Sequence, residues 1–324
     1  MNTFEQETKQ LGHIEALRAL AALMVLVFHL LSFNRGDEFL IENAWIRECS
    51  KFGAQGVELF YLISGFVIFY SLTNTDPKKY NYFRYLQKRF LRISPPFWGI
   101  LFLICLLAFG WKGDYPYSMK QILENATLTV DLFHHSNWMN PIFITLKVEF
   151  LFYGIIGFLI LIMRKNKWVY TFVLSLSLCS VFFFHQIDII HNIPFFVAGI
   201  ACSEIYKSKN LLINYLLIIS VLVLLGSIFS LEDFVIVCIG IVLILWIKLK
   251  GFWIEWLGKF SYSLYLTHGF SGGLFLFIFK NENYLNLPSW LSIVLAVVVA
   301  IAFAYCYYQI IEKKAIRWSK NIHY

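Results

Sequence analysis

Charge is scarce in this chain. Asp, Glu, Lys and Arg make up 15% of its 324 residues, where soluble domains carry about 25%. Hydrophobic residues reach 59% and aromatic ones 19%, and the mean hydropathy is +0.66. So little charge excludes a soluble globular domain and points to an integral membrane protein. Paired cysteines are missing as well. Cys49, Cys105, Cys179, Cys202, Cys238 and Cys306 never stand at CxxC spacing, and all but Cys49 lie in apolar stretches. Neither a disulfide framework nor a metal site is indicated. No low-complexity tract or internal repeat is evident, and no nucleic-acid partner is expected. A cleavable leader is absent too: the first ten residues set Glu5 and Glu7 against Lys9, and no small-residue cleavage site follows the apolar run.

What the chain does contain is a series of apolar stretches. Ten candidate spans fall at about 14–33, 57–72, 94–111, 142–163, 168–185, 190–206, 211–230, 234–249, 260–280 and 288–311, most of them near the roughly 20 residues that cross a bilayer. The expected fold is therefore all-α, a polytopic membrane protein of about ten transmembrane helices in a single domain, 1–324, with no appended soluble domain. Loop charge tests the count. With the N-terminus inside, 20 of the 27 Lys and Arg residues fall in cytoplasmic segments, six fall outside, and Lys147 lies within a span. That bias predicts N- and C-termini both cytoplasmic.

Several of the few charges sit where they are costly. The first span carries Arg18 and His29. Eleven residues at about 100° each bring both side chains to one helical face, roughly 16 Å apart along the axis. Such residues inside a membrane face a polar cavity or a partner. The second span, from Gly56, holds Glu58 near its outer edge and Ser64-Gly65 near its middle. Ser64-Gly65 reads either as a close contact between helices or as a backbone opening that admits a ligand. Gly-x-Ser-Gly of intramembrane serine proteases is not met, since Leu62 stands two before Ser64.

A basic segment follows, Arg84 to Arg92. Arg89 and Arg92 share a helical face, and Arg84, Lys88 and Arg92 form a second row at i, i+4 spacing. The segment is either a topology determinant that meets anionic lipid headgroups or an anion site, since guanidinium forks suit phosphate oxygens. Pro95-Pro96 then restrict the chain and predict the start of the third span. In the fourth span, Lys147 and Glu149 are two apart and do not face each other. Glu149 lies roughly 12 Å deep counted from Pro141, a depth His29 can share. A carboxylate hydrogen-bonded to one imidazole nitrogen would make the other a general base. Later, Ser261, Tyr265 and His268 make a polar stripe, with His268 structural or catalytic. Glu204 reads as interfacial and Glu312 as part of a solvated cytoplasmic end.

Taken together these stretches resemble acyltransferase family 3, the membrane O-acyltransferases of bacterial surface glycans. Arg18 and His29 are similar to its Arg-x10-His. Gly56-Val-Glu-Leu-Phe-Tyr-Leu-Ile-Ser-Gly-Phe66 looks like its Gly-Val-Asp-Leu-Phe-Phe-Val-Ile-Ser-Gly-Phe, with Glu58 for the usual Asp. Arg89-Phe-Leu-Arg92, Thr145-Leu-Lys-Val-Glu-Phe-Leu-Phe-Tyr153 and Ser261-Tyr-Ser-Leu-Tyr-Leu-Thr-His268 resemble three further elements, and the likeness runs through nearly the whole chain. The resemblance implies a multi-pass protein of the bacterial inner membrane. Its donor would be cytoplasmic acetyl-CoA (or another acyl-CoA) and its acceptor a hydroxyl of a surface or lipid-linked glycan, with membrane lipid around it and no metal. Arg89 and Arg92 would bind the CoA phosphates, His29 oriented by Glu149 would deprotonate the acceptor, and Arg18 would hold the donor or neutralise charge. Direct transfer and a transient acyl-histidine both fit. A proton-coupled transporter of an acyl group or glycolipid would also place Arg, His, Lys and Glu within the membrane. The cytoplasmic Arg pair and the absence of inverted repeats separate the two readings.

Overall fold

The computed structural model describes residues 12–32, 34–35, 38–39, 43–112, 117–133, 137–247, 249–281 and 287–322. Lys9, Lys248 and parts of the two longest loops lie outside them. The described chain is helical apart from one two-residue antiparallel ladder, Asn34–Arg35 with Glu38–Phe39. In order the main helices are α1 (Gly12–Leu31), α2 (Ala44–Lys51), α3 (Gly56–Asn74), α4 (Tyr82–Lys112), α5 (Met119–Ala126), α6 (Ile142–Met163), α7 (Lys167–Phe184), α8 (Ile193–Tyr206), α9 (Leu211–Ile228), α10 (Leu231–Leu245), α11 (Phe252–Gly258), α12 (Ser261–His268), α13 (Leu274–Asn281), α14 (Ser289–Tyr307) and α15 (Lys313–Lys320). Seven helical stretches among the described residues are long and apolar enough to cross a membrane. The sixth and eighth predicted spans emerge as the shorter α8 and α10. The ninth is divided by a π-helical turn at Gly269–Gly273, between α12 and α13.

The bundle is centred on α8, in which every residue from Pro194 to Glu204 is buried. A helix apolar on all sides can be stable only when surrounded. Its closest neighbour is α3, and glycine makes the approach possible. A Cβ on Gly65 would strike the Phe196 backbone carbonyl, and one on Gly199 would strike the Leu62 carbonyl. Ser64-Gly65 is thus a close helix contact. Glu204, expected at an interface, belongs to this interior at 8% exposure.

The third span departs furthest from expectation. Pro95-Pro96 do not mark its start; α4 begins at Tyr82 and runs through both prolines. Proline removes a backbone donor and strains the preceding turn, but neighbouring side chains can satisfy the carbonyls around such a step. The missing N–H groups leave the Leu91 and Arg92 carbonyls without their helical partners, and two carbonyls flanking the step take tyrosine hydroxyls. The Tyr262 hydroxyl donates to the Ile93 carbonyl at 3.0 Å, and the Tyr307 hydroxyl donates to the Pro96 carbonyl.

The C-terminal end also differs. Glu312 is not solvated but 4% exposed, at the end of a π-helical turn (Tyr308–Glu312) between α14 and α15. It accepts hydrogen bonds from the Ser263 backbone N–H at 3.1 Å and from the Ser263 hydroxyl at 2.5 Å. A buried carboxylate needs such donors to offset its lost hydration.

Candidate active site

One cavity gathers most of the costly charges. Arg18 of α1, Ser64 of α3, Arg89 and Arg92 of α4 and Glu149 of α6 line it, together with Tyr61, Tyr153, Tyr262 and Tyr265. It holds about 850 Å³ of space free of protein atoms, its open mouth included. Three guanidiniums against one lining carboxylate leave it positively charged. The buried Glu312 lies in the field of Arg18 and Arg92 and offsets part of that charge.

The arginines enter by helical phase. On α4, Arg84 is exposed, Arg89 is buried, and Arg92, three residues on, shares the inward face. The row Arg84, Lys88, Arg92 therefore runs from surface to interior and does not form one surface cluster. The Arg89 guanidinium sits over the rings of Tyr85 and Tyr153, 5.4 and 5.8 Å from their centroids. Cation–π contact helps to hold the group in place.

Glu149 is fixed from two sides. The Ser64 hydroxyl donates to its Oε1 at 2.9 Å, and the Tyr153 hydroxyl, one turn along α6, donates to the same oxygen. The expected bond from Glu149 to His29 is not formed. Equal depth in a bundle does not fix azimuth: α6 turns Glu149 towards α3, whereas α1 packs on α12 at His29. The His29 ring lies 5.0 Å from the His268 ring, centroid to centroid, and 4.9 Å from that of Phe28.

His268 is 1% exposed, and its Nδ1 is 2.7 Å from the Tyr265 carbonyl oxygen. A carbonyl can only accept, so Nδ1 carries the proton and Nε2 keeps the lone pair in the neutral ring. The Tyr265 hydroxyl meets the Thr145 hydroxyl at 2.6 Å on the cavity wall. The histidine pair and the cavity are thus joined through Tyr265. Ser261, the first member of the polar stripe, only returns its hydroxyl to the Gly258 carbonyl at 3.0 Å.

Three other expected residues are accounted for structurally. Glu58 lies half-buried where α3 begins, and with its amide turned to donate, Gln55 bonds Glu58 at 3.0 Å and Asp233 at 2.8 Å. Gly65 is the crossing point with α8. Lys147 pairs with Asp131 and, at 2.5 Å, with Asp188. Sequence reasoning missed Tyr153, Tyr262 and the Ser263–Glu312 pair. Tyr153 was signalled by its i, i+4 spacing from Glu149. Tyr262 and Glu312 carried no local signal.

A family model described as an acyltransferase domain, Acyl_transf_3, matches residues 11–309. Among curated proteins and solved structures none matches the chain. The matched region takes in all seven candidate spans in whole or in large part and every residue of the cavity wall. The chain is a multi-pass membrane protein that belongs to acyltransferase family 3.

Proposed function

We propose that the protein moves an acetyl group, or another short acyl group, from cytoplasmic acyl-CoA to a hydroxyl of a surface or lipid-linked glycan in the bacterial inner membrane. The observation that carries this reading is the convergence of Arg18, Arg89 and Arg92 on one cavity with Glu149. Concentrated positive charge in a low-dielectric interior favours a polyanionic ligand, and guanidiniums suit phosphate oxygens. In this reading the Arg18 end of α1 faces the cytoplasm, both termini are cytoplasmic, α8, α10 and the α12–α13 pair complete ten crossings, and residues 1–324 act as one domain.

Arg89 and Arg92 hold the CoA phosphates, and Arg18 stabilises negative charge further along the route. His29, about 16 Å beyond Arg18 along α1, deprotonates the acceptor hydroxyl beside His268. A hydroxyl needs a base to become a useful nucleophile, and the thioester oxygen needs cationic stabilisation as charge develops.

The test is acetyl transfer to surface glycan, read by NMR of the glycan alongside acetyl-CoA consumption in membranes. His29→Ala that inserts normally should lose transfer by about 10²-fold or more; full activity in that variant rejects the base role. Loss of glycan O-acetyl content on deletion, with glycan export intact, favours the enzyme over a transporter.

A further inference from the structure

We propose that Ser64 is the nucleophile of a transient acyl-enzyme, with Glu149 as its base. The proposal rests on the acyltransferase reading above and adds a covalent intermediate to it. Ser64 and Glu149 both line the arginine cavity, the Ser64 hydroxyl donates to Glu149 Oε1 at 2.9 Å, and Tyr153 holds the same carboxylate. A hydroxyl bound to a base that is itself oriented by a third group is the arrangement of an activated nucleophile.

The ordinary behaviour of a hydroxyl in an apolar helix is different. It returns its proton to a carbonyl one turn back, as Thr73, Thr75, Ser220 and Ser227 do here. Ser64 reaches across to a carboxylate on another helix instead. Its backbone is also held firmly, because the next residue, Gly65, rests directly on the Phe196 carbonyl. Such fixing is what positions a reacting atom.

In the first half-reaction Ser64 Oγ attacks the thioester carbonyl carbon. A C–O bond forms, the C–S bond breaks, and the Ser64 proton passes to Glu149 and then to the departing thiolate, giving free CoA thiol. The developing oxyanion lies among the guanidiniums of the cavity. In the second, the acceptor hydroxyl attacks the ester carbon and its proton goes to His29. The Ser64 C–O bond breaks, His29 gives the acceptor's proton up to water, and a proton taken from water through Glu149 restores the Ser64 hydroxyl, so that the two half-reactions balance. The ester divides the transfer into two steps, one for each polar centre: Ser64–Glu149 in the cavity, and His29–His268, joined to it through Tyr265.

The experiment incubates the purified full-length protein with radiolabelled acetyl-CoA and no acceptor, then maps the label by digestion and mass spectrometry. Acetyl on the peptide containing Ser64 is expected in the native protein, and more of it in His29→Ala, which stalls the second half. Ser64→Ala should carry none. Glu149→Gln should form the ester at least about 10²-fold more slowly. Ser64→Cys should take the label as a thioester released by neutral hydroxylamine. Ser64→Ala transferring acetyl to glycan at more than half the native rate overturns the proposal, as does label on His29 in place of Ser64. A native protein that acetylates glycan without ever labelling Ser64 overturns the relay alone. One that neither consumes acetyl-CoA nor acetylates glycan overturns the donor reading and the relay together.

Discussion

Lys147 and Glu149 stand two residues apart on α6, and the fold treats them in opposite ways. Lys147 turns to a cluster of loop residues, where it meets Asp131 and Asp188, while Trp138 donates to Asp131 at 3.0 Å and lies under the ammonium. Its charge is neutralised by two carboxylates. Glu149 turns to the cavity, where its partners are two neutral hydroxyls and three guanidiniums share the wall with it. One position closes a charged network; the other is bonded to neutral hydroxyls on the wall of the cavity. An ionisable residue within a membrane helix is a functional candidate by default, and the contrast shows that the default must be checked against the partner each residue finds.

The comparison can be broken or sharpened by four substitutions. The largest effect is expected from Glu149→Gln, which keeps the shape and removes the base; transfer in membranes should fall by about 10²-fold or more with normal insertion. Arg92→Ala should raise KM for acyl-CoA by about 10- to 100-fold, the equivalent of one lost charged hydrogen bond, with a smaller change in kcat, as steady-state kinetics would show. Gly65→Val puts methyl groups into the Phe196 backbone. Overpacking of this kind costs about 1–3 kcal/mol or more, read as a lower Tm of the detergent-solubilised protein. Lys147→Met should be mildest. Asp131 and Asp188 are nearly half exposed, at 44% and 48%, and pairs so accessible contribute up to about 1 kcal/mol. Activity should stay within about twofold, since the substitution touches neither the cavity arginines nor Glu149. If Lys147→Met abolished transfer as Glu149→Gln does, the division of α6 into a structural and a chemical face would be wrong.

How far these features were legible depended on whether the cause was local. The fourth span was read as about 142–163, because Pro141 and Arg164 bound a stretch that is apolar apart from Thr145, Lys147 and Glu149. The inward pairing of Arg89 with Arg92 followed from their spacing. The start of the third span was misplaced because proline rules are local, whereas the segment around Pro95-Pro96 is packed against elements far along the chain, from which Tyr262 and Tyr307 bond its carbonyls. The same limit applies to the site. Spacing placed Arg18 and His29 on one face of α1 but not their neighbours: Ser64 meets Glu149 across 85 residues, and His29 meets His268 from the far end of the sequence. Those encounters depend on how each helix is rotated about its axis, which hydropathy does not specify. Glu312 was read as solvated for the same reason, its partner Ser263 being 49 residues away.

The tyrosine bonds to α4 have a mechanical consequence. Tyr262 begins the π-interrupted α12–α13 segment and Tyr307 ends α14, and each is anchored to a carbonyl beside the proline step. Sliding either element along α4 would strand a tyrosine hydroxyl in a dry interior, at about 1–3 kcal/mol for each one left unpaired. Two elements of the bundle are thereby riveted to one rod of 31 residues, about 46 Å long. The cavity wall that carries Arg89 and Arg92 is therefore pinned at two points to the C-terminal helices.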